Sequence, residues 1–321
     1  MRLRFGRYRR RFNRTSSEKP IPCANPGPSA ARTKTARMSF ADVHARLTAI
    51  ADAERHEPSI DPDNGTRWWL HDEPTESAVV LLHGFTNNPR QYAELGPYLH
   101  AAGHNVIAPR FPYHGFRDRM STAIARITID DLLESTLNAI AIAADAGRRV
   151  DVAGISLGGA VAAWLAPRVA IDTAVAIAPF FGIKPVPGGT NDWLAALLVA
   201  LPNAFVWWDP IHKADQLPAH GYPRFSTRAL GETMKLAAAT DPALSPRPPG
   251  GRVVGLLNGN DPIVNNTFAR ERLEALRAHG LKVTIDVRDD LPKQHDVIEP
   301  TLPHAPTALS YPWIRDALKK P

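Results

Sequence analysis

The stretch "VDVAGISLGGAVAAWLA", Val150–Ala166, sets one serine between two glycines, with an apolar run before it and an alanine-rich run after it. The first run is short and rich in valine, as a buried strand is; the second is apolar on every side, as a helix buried in mid-domain is. Gly154-Ile155-Ser156-Leu157-Gly158 therefore falls at a strand-to-helix turn. A hydroxyl on such a turn sits on strained backbone and projects beyond the carboxyl end of the strand, and the glycines let strand and helix approach. The pattern is not decisive alone, since Gly and Ser frequencies of roughly 7% each give about 0.1 chance matches in a chain of this length. A turn serine with a purely structural role is the competing reading. The strand before, the helix after and the mid-chain placement weigh against it.

The same alternation extends outward. From Arg67 onward, Val- and Ile-rich runs occur at Ala78–Leu82, Asn105–Ala108, Val150–Ile155, Thr173–Ile177, Val253–Leu257 and Val283–Val287. Helical patterns lie between several of them, at Pro89–Ala102, Ile129–Ala146, Leu157–Val169 and Val264–His279. Strand and helix in turn predict an α/β fold, a mostly parallel sheet with helices on both faces. The pattern breaks between Ile183 and Gly251, where "DWLAALLVALPNAFVWWDP" reads as helical and strongly apolar and "SPRPPGG" closes the section. An inserted, mainly helical cap is expected at about 184–250.

Composition narrows the function classes. The chain has 321 residues and a net charge of +6, but segment 1–37 holds eleven Lys and Arg against one acid, Glu18, so residues 38–321 carry −4. The folded body thus gives no electrostatic case for nucleic-acid binding. No apolar run approaches the ~18 residues that span a bilayer. The single cysteine, Cys23, excludes an intramolecular disulfide, and no Cys/His spacing suggests a structural metal; a reducing, cytoplasmic setting is the expectation. Segment 1–37 lacks apolar periodicity and is rich in Arg, Pro and Ser, which predicts disorder. Its Arg and aromatic residues suit RNA or anionic lipid; alternatively, translation starts at Met38, whose "MSFADVHARL" opens a helix.

Ser156 needs an oxyanion site. The backbone N–H of Leu157 lies at a helix N-terminus beside it, where partial positive charge favours an anion. In "AVVLLHGFTNNPRQY", His83-Gly84 ends an apolar strand and the N–H of Phe85 is the second candidate donor. His83 suits loop shaping better than base catalysis.

These segments, "LLHGFTNNP", "PRFPYHG", "GISLGG" and "LLNGNDPIV" in that order, resemble the α/β-hydrolases, specifically bacterial carboxylesterases and monoacylglycerol lipases with a helical cap. The resemblance runs from about Arg67 to the C-terminus. It implies an α/β-hydrolase domain over 38–321 and the chain order serine, acid, histidine. Of twelve histidines only His295 and His304 follow the last strand. His295, in "LPKQHDVIEP", lies where the family keeps its base, and His304 is expected to start the closing helix. Asp261, in the turn "NGNDPIV", resembles the family's acid; a turn aspartate before proline is the plain alternative. The older acid position after Thr173–Ile177 reads "APFFG", without a carboxylate. Asp296 is expected to point elsewhere.

The expectation is a serine hydrolase cleaving carboxylic esters through an acyl-enzyme on Ser156, with Asp261, His295 and the amides of Phe85 and Leu157. It needs no cofactor or metal and takes a small ester with an apolar acyl group. Thioesterase, amidase or peptidase, acyltransferase and a non-catalytic binding protein remain alternatives. Trp193, Leu194, Leu197, Leu198, Phe205, Val206, Trp207 and Trp208 of the insertion either pack as its core or lend surface to an acyl pocket, Trp207 being a candidate contact. His114 and Tyr113 in "PYHG" either touch substrate or shape their loop.

Overall fold

The computed structural model describes residues 39–239 and 251–319. The basic segment, with its alternative start at Met38, and residues 240–250 at the close of the insertion lie outside the described residues. Helix α1 (Phe40–His56) begins where Ser39 and Asp42 cap each other's backbone N–H groups. Strands β1 (Arg67–Trp69) and β2 (Thr75–Leu82) follow. The helix expected over 89–102 is instead a 3-10 turn at Pro89–Tyr92 and then α2 (Leu95–Ala101). Side chains drawn inward break it: the Tyr92 hydroxyl donates to the Leu82 carbonyl at 2.6 Å, and Gln91 accepts from the Gly84 N–H at 2.9 Å.

Next come β3 (Asn105–Ala108) and α3 (Ile129–Ala146), the latter opened by a Thr128–Asp131 capping box. The quoted stretch forms β4 (Gly147–Ile155) and α4 (Leu157–Leu165). The latter stops four residues early because Pro167 has no N–H to continue the ladder. After β5 (Thr173–Ile177) the insertion holds α5 (Asn191–Ala200), β6 (Phe205–Trp207), β7 (Arg224–Ser226) and α6 (Thr227–Ala239). The chain closes with β8 (Arg252–Asn258), α7 (Asn266–Ala278), β9 (Lys282–Arg288) and α8 (Thr307–Leu318). His304 does not begin α8 but lies before it, with φ 57°.

The main sheet has seven strands in the order β1-β3-β2-β4-β5-β8-β9, all parallel except β1. Side chains alternate between two cores. Val80, Val152, Ala174 and Val253 face α3, α4 and α7, while Val79, Ala153, Val175 and Val254 face α2 and α8. This is the α/β-hydrolase architecture expected. The register sets Leu82 beside Gly154, Ile155 beside Ile177 and Ile177 beside Leu256, so the loops after β2, β4, β5 and β8 leave from one edge. Open parallel sheets place their sites at that edge.

The insertion, expected to be mainly helical, also holds a short strand pair, its first strand within "NAFVWWDP", part of the expected helical stretch. Strands β6 and β7 pair antiparallel, Phe205 with Ser226 and Trp207 with Arg224. "FVW" is β-branched and aromatic and follows Pro202, which suits a strand better than a helix. Helix α6 packs on α5 and α4. Leu194, Leu198 and Phe205 meet the main core, whereas Trp193 is 67% exposed and Val206 and Trp208 are more than a third exposed.

Strand β4, helix α4 and strand β2 meet without side chains between them. A Cβ at Gly158 would lie 1.9 Å from the Leu82 carbonyl oxygen, and one at Gly154 would lie 2.3 Å from the Gly158 carbonyl carbon. Gly158→Ala must therefore push α4 off the sheet. A loss of about 2–3 kcal/mol or more is expected, read as a lowered urea midpoint at unchanged slope.

Candidate active site

Ser156 occupies φ 56°, ψ −113° between β4 and α4. A non-glycine residue persists there only when its surroundings hold it. Here they do. The Ser156 N–H donates to the Ile177 carbonyl at 2.9 Å, and the Ser156 carbonyl accepts from the N–H groups of Ala160 and Phe180, both at 2.9 Å. The side chain is left at the head of α4, beside the Leu157 N–H.

Asp261, on the turn after β8, is fully buried. Its Oδ1 accepts from the N–H groups of Ile263 and Val264 at 2.8 and 3.1 Å, and its Oδ2 faces His295 Nδ1 at 2.7 Å. A carboxylate only accepts, so Nδ1 carries the proton and Nε2 is the ring's acceptor. Asn258 fixes the loop beneath by donating to the carbonyls of Pro292 and Gln294. Burial opposes a charged imidazole at His295, but the Asp261 charge and hydrogen bond, helped by Asp296, outweigh it and raise the pKa above 6.5.

The loop after β2 is built around two buried histidines. The Phe111 N–H donates to His83 Nε2 at 3.1 Å, so His83 Nδ1 donates to the Gly84 carbonyl at 2.9 Å. That carbonyl belongs to the peptide whose N–H is Phe85's. Burial first, then the neighbouring His114, holds His83 far below the ordinary imidazole range and therefore neutral. His114 Nε2 lies 2.6 Å from the Phe85 carbonyl and Nδ1 2.8 Å from that of Pro112. Burial pushes its pKa down to about 4. Both rings shape the loop.

One cavity of about 210 Å³ is lined by Ser156, His295, Phe85, Gly84, Gln91 and Asp296 together with Phe180, Trp208, Leu217, Tyr222, Leu230 and Ile263. Ser156 and His295 thus share a cavity wall. Among the described residues no hydrogen bond joins them, and such bonds commonly tighten only with substrate present. His114, Tyr113 and Trp207 are absent from the wall. The His114 ring nitrogens face two backbone carbonyls, to one of which the neutral ring donates, the Tyr113 ring lies under Arg126, and Trp207 lies under Lys213. Trp208 and Tyr222 line the cavity instead. A larger hollow of about 300 Å³, between α1 and α3, contains none of the candidate residues. Among the described residues no group of three His, Cys, Asp or Glu is placed to hold a metal, and no helix is long and apolar enough to cross a membrane.

Sequence reasoning missed Gln91 and the part played by Asp296. Gln91 Nε2 donates to Asp296 Oδ2 at 2.6 Å across 205 residues of chain, a separation that leaves no local signal. Asp296, expected to point elsewhere, lies in the cavity wall and takes its hydrogen bonds from Gln91 and the N–H groups of Ile298 and Glu299.

Residues 79–305 match the alpha/beta hydrolase family. The chain belongs to that family. Among solved structures, this α/β-hydrolase is similar to one from work on two metagenome-derived lipolytic enzymes, LipS and LipT, with TM-score 0.60 and 18% identity over 80% of this chain and 99% of the other. It is also similar to the monoacylglycerol lipase of Paleococcus ferrophilus (TM-score 0.56, 18% identity, 78% and 98% covered). A soluble variant of the Saccharomyces cerevisiae monoglyceride lipase matches with TM-score 0.57 and 13% identity, over 80% and 92% of the two chains. At these identities the likeness is one of fold.

The Asp261 anion favours the imidazolium, so Asp261→Asn is expected to lower the His295 pKa. Proton NMR titration of the imidazole, assigned against His295→Gln, reads the shift; an unmoved titration would break the pairing.

Proposed function

We propose that this α/β-hydrolase cleaves carboxylic esters through an acyl-enzyme on Ser156. The observation that carries the reading is the 2.7 Å Asp261–His295 pair in the same cavity as a serine held at a strained strand-to-helix turn. His295 Nε2 takes the hydroxyl proton as Oγ attacks the ester carbonyl. The oxyanion then meets the N–H groups of Phe85 and Leu157, a contribution of about 3–4 kcal/mol per donor in a comparable site. His295 passes its proton to the departing alcohol and next activates water, which frees the acid and restores Ser156. Asp261 keeps the ring in the required tautomer and steadies its positive form.

The substrate reading follows from the cavity. Phe180, Trp208, Leu217, Leu230 and Ile263 supply apolar wall. The volume of about 210 Å³ is below the ~300–1,000 Å³ of pockets for drug-sized ligands. A short acyl chain fits that space better than a long one. The likeness to a lipolytic enzyme and to a monoacylglycerol lipase supports an oxygen ester as the substrate. The domain extends over 38–321, with the segment at about 184–250 as the cap over the serine, and a cytoplasmic setting accompanies the reading.

Ser156→Ala is expected to lower p-nitrophenyl butyrate turnover by about 10⁵-fold or more without lowering the melting temperature. Retained turnover would remove the assignment. Across a chain-length series, kcat/KM is expected to peak at acetate or butyrate and to fall at least about tenfold by palmitate, since each misfit methylene is worth ~1 kcal/mol or more. A maximum at palmitate would contradict the short cavity.

A further inference from the structure

Two loops that must stay in register come from distant parts of the chain. The oxyanion loop follows β2 and the base loop follows β9, and no strand pairing joins them directly. Between them lies Gln91, buried on the 3-10 turn. Its Oε1 accepts from the Gly84 N–H at 2.9 Å, one residue before Phe85. Its Nε2 donates to Asp296 Oδ2 at 2.6 Å, one residue after His295. Asp296 cannot turn away, because its Oδ1 accepts from the N–H groups of Ile298 and Glu299 at 3.2 and 3.1 Å. Glu299 in turn lies 3.1 Å from His220 of the insertion.

We propose that Gln91 and Asp296 form a strut that sets the distance between the Phe85 N–H and the His295 ring, and so act as positioning residues for acyl transfer. The inference rests on the triad reading above. Neither residue passes a proton or holds the oxyanion. The strut matters because the donor must meet the developing oxyanion while the base meets the hydroxyl, two alignments made on separate loops. Misplacing a reacting group by about 1 Å costs on the order of 100-fold in rate. Binding of the ground-state ester, which rests on the apolar wall, depends less on that alignment, so the loss falls on kcat.

A reversed pair tests this. Gln91→Glu keeps the shape and the acceptor for Gly84 but sets carboxylate against carboxylate. Adding Asp296→Asn supplies an amide donor to the new carboxylate and restores a bond of opposite direction. With p-nitrophenyl butyrate, Q91E is expected to lower kcat about 10- to 100-fold with KM within about threefold, and Q91E/D296N to recover most of the loss. In D296N alone the side-chain oxygen stays with the Ile298 and Glu299 N–H groups, so the amide nitrogen is set against Gln91 Nε2, donor against donor, and kcat is expected to fall about 10-fold or more with KM within about threefold. Wild-type kcat in Q91E, or a double variant as slow as Q91E, overturns the strut. Should Q91E not fold, as read by its melting curve, Gln91→Met removes both bonds at similar volume. A tenfold kcat loss at unchanged KM then supports the strut, and wild-type kcat overturns it. Ser156→Ala is measured alongside: activity in that variant sinks the triad, whereas its inactivity beside a fast Q91E sinks the strut alone.

Discussion

At φ 56° a side chain other than glycine's crowds its own backbone, so Ser156 keeps that conformation only because bonds on both sides outweigh the strain. Its N–H is held by β5 and its carbonyl by α4 and by Phe180. Those bonds require β4, α4 and β5 to be close, and closeness requires bare glycine at 154 and 158. The hydroxyl's direction is therefore a property of the whole central packing. The two apolar layers on either side of the sheet offset the strain of the turn at Ser156.

Charge is arranged around the base by the same economy. Asp261, Asp296 and Glu299 are buried within a short distance of one imidazole, an arrangement that repulsion alone would disperse. Each carboxylate is met by donors: Asp261 by two backbone N–H groups and His295, Asp296 by two more and Gln91, Glu299 by the Thr301 N–H and hydroxyl, with His220 Nε2 3.1 Å away. The remaining imbalance appears at Asp296, whose carboxyl burial and the Glu299 charge push above the usual range. Burial opposes the Glu299 charge too, but His220 and Thr301 overcome it and hold that carboxyl lower. The field that results favours a positive ring at 295, the state that the proposed proton transfers would pass through.

The central sheet was legible because a parallel strand buried on both faces reads as a continuous apolar run. All six runs picked from the sequence lie inside strands of the sheet. The half-buried edge strand β1 was not picked out as a run, and β6 and β7 escaped because three residues carry little periodicity and sixteen separate the two strands. The turn at Ser156 and the Asp261–His295 pairing followed from local pattern and chain order. Trp207 was chosen over Trp208 on composition alone; which of two adjacent side chains faces a cavity depends on strand phase, and phase in a strand this short is set by its partner. Gln91 had no sequence signal, since its importance consists wholly of contacts 7 and 205 residues away.

The insertion is held hardest where it meets the cavity. Arg119 donates to the carbonyls of Gly221, Gln216 and Pro218, Asn88 to that of His220, and the Tyr222 N–H to that of Thr86. The Trp208 indole donates to the Thr86 hydroxyl, and the Tyr222 hydroxyl to the Tyr113 carbonyl. Thr86 and Asn88 belong to the loop after β2, so the apolar wall and the proposed oxyanion donors are parts of one bonded unit. Opening the roof along this seam would break hydrogen bonds at about 1 kcal/mol each and disturb that loop with them. Exposed residues of α5 such as Trp193 carry no such coupling. Under the proposed ester hydrolysis, the acyl chain would meet a wall already bonded in place, so the volume of the cavity, and not the adaptability of its roof, would limit chain length.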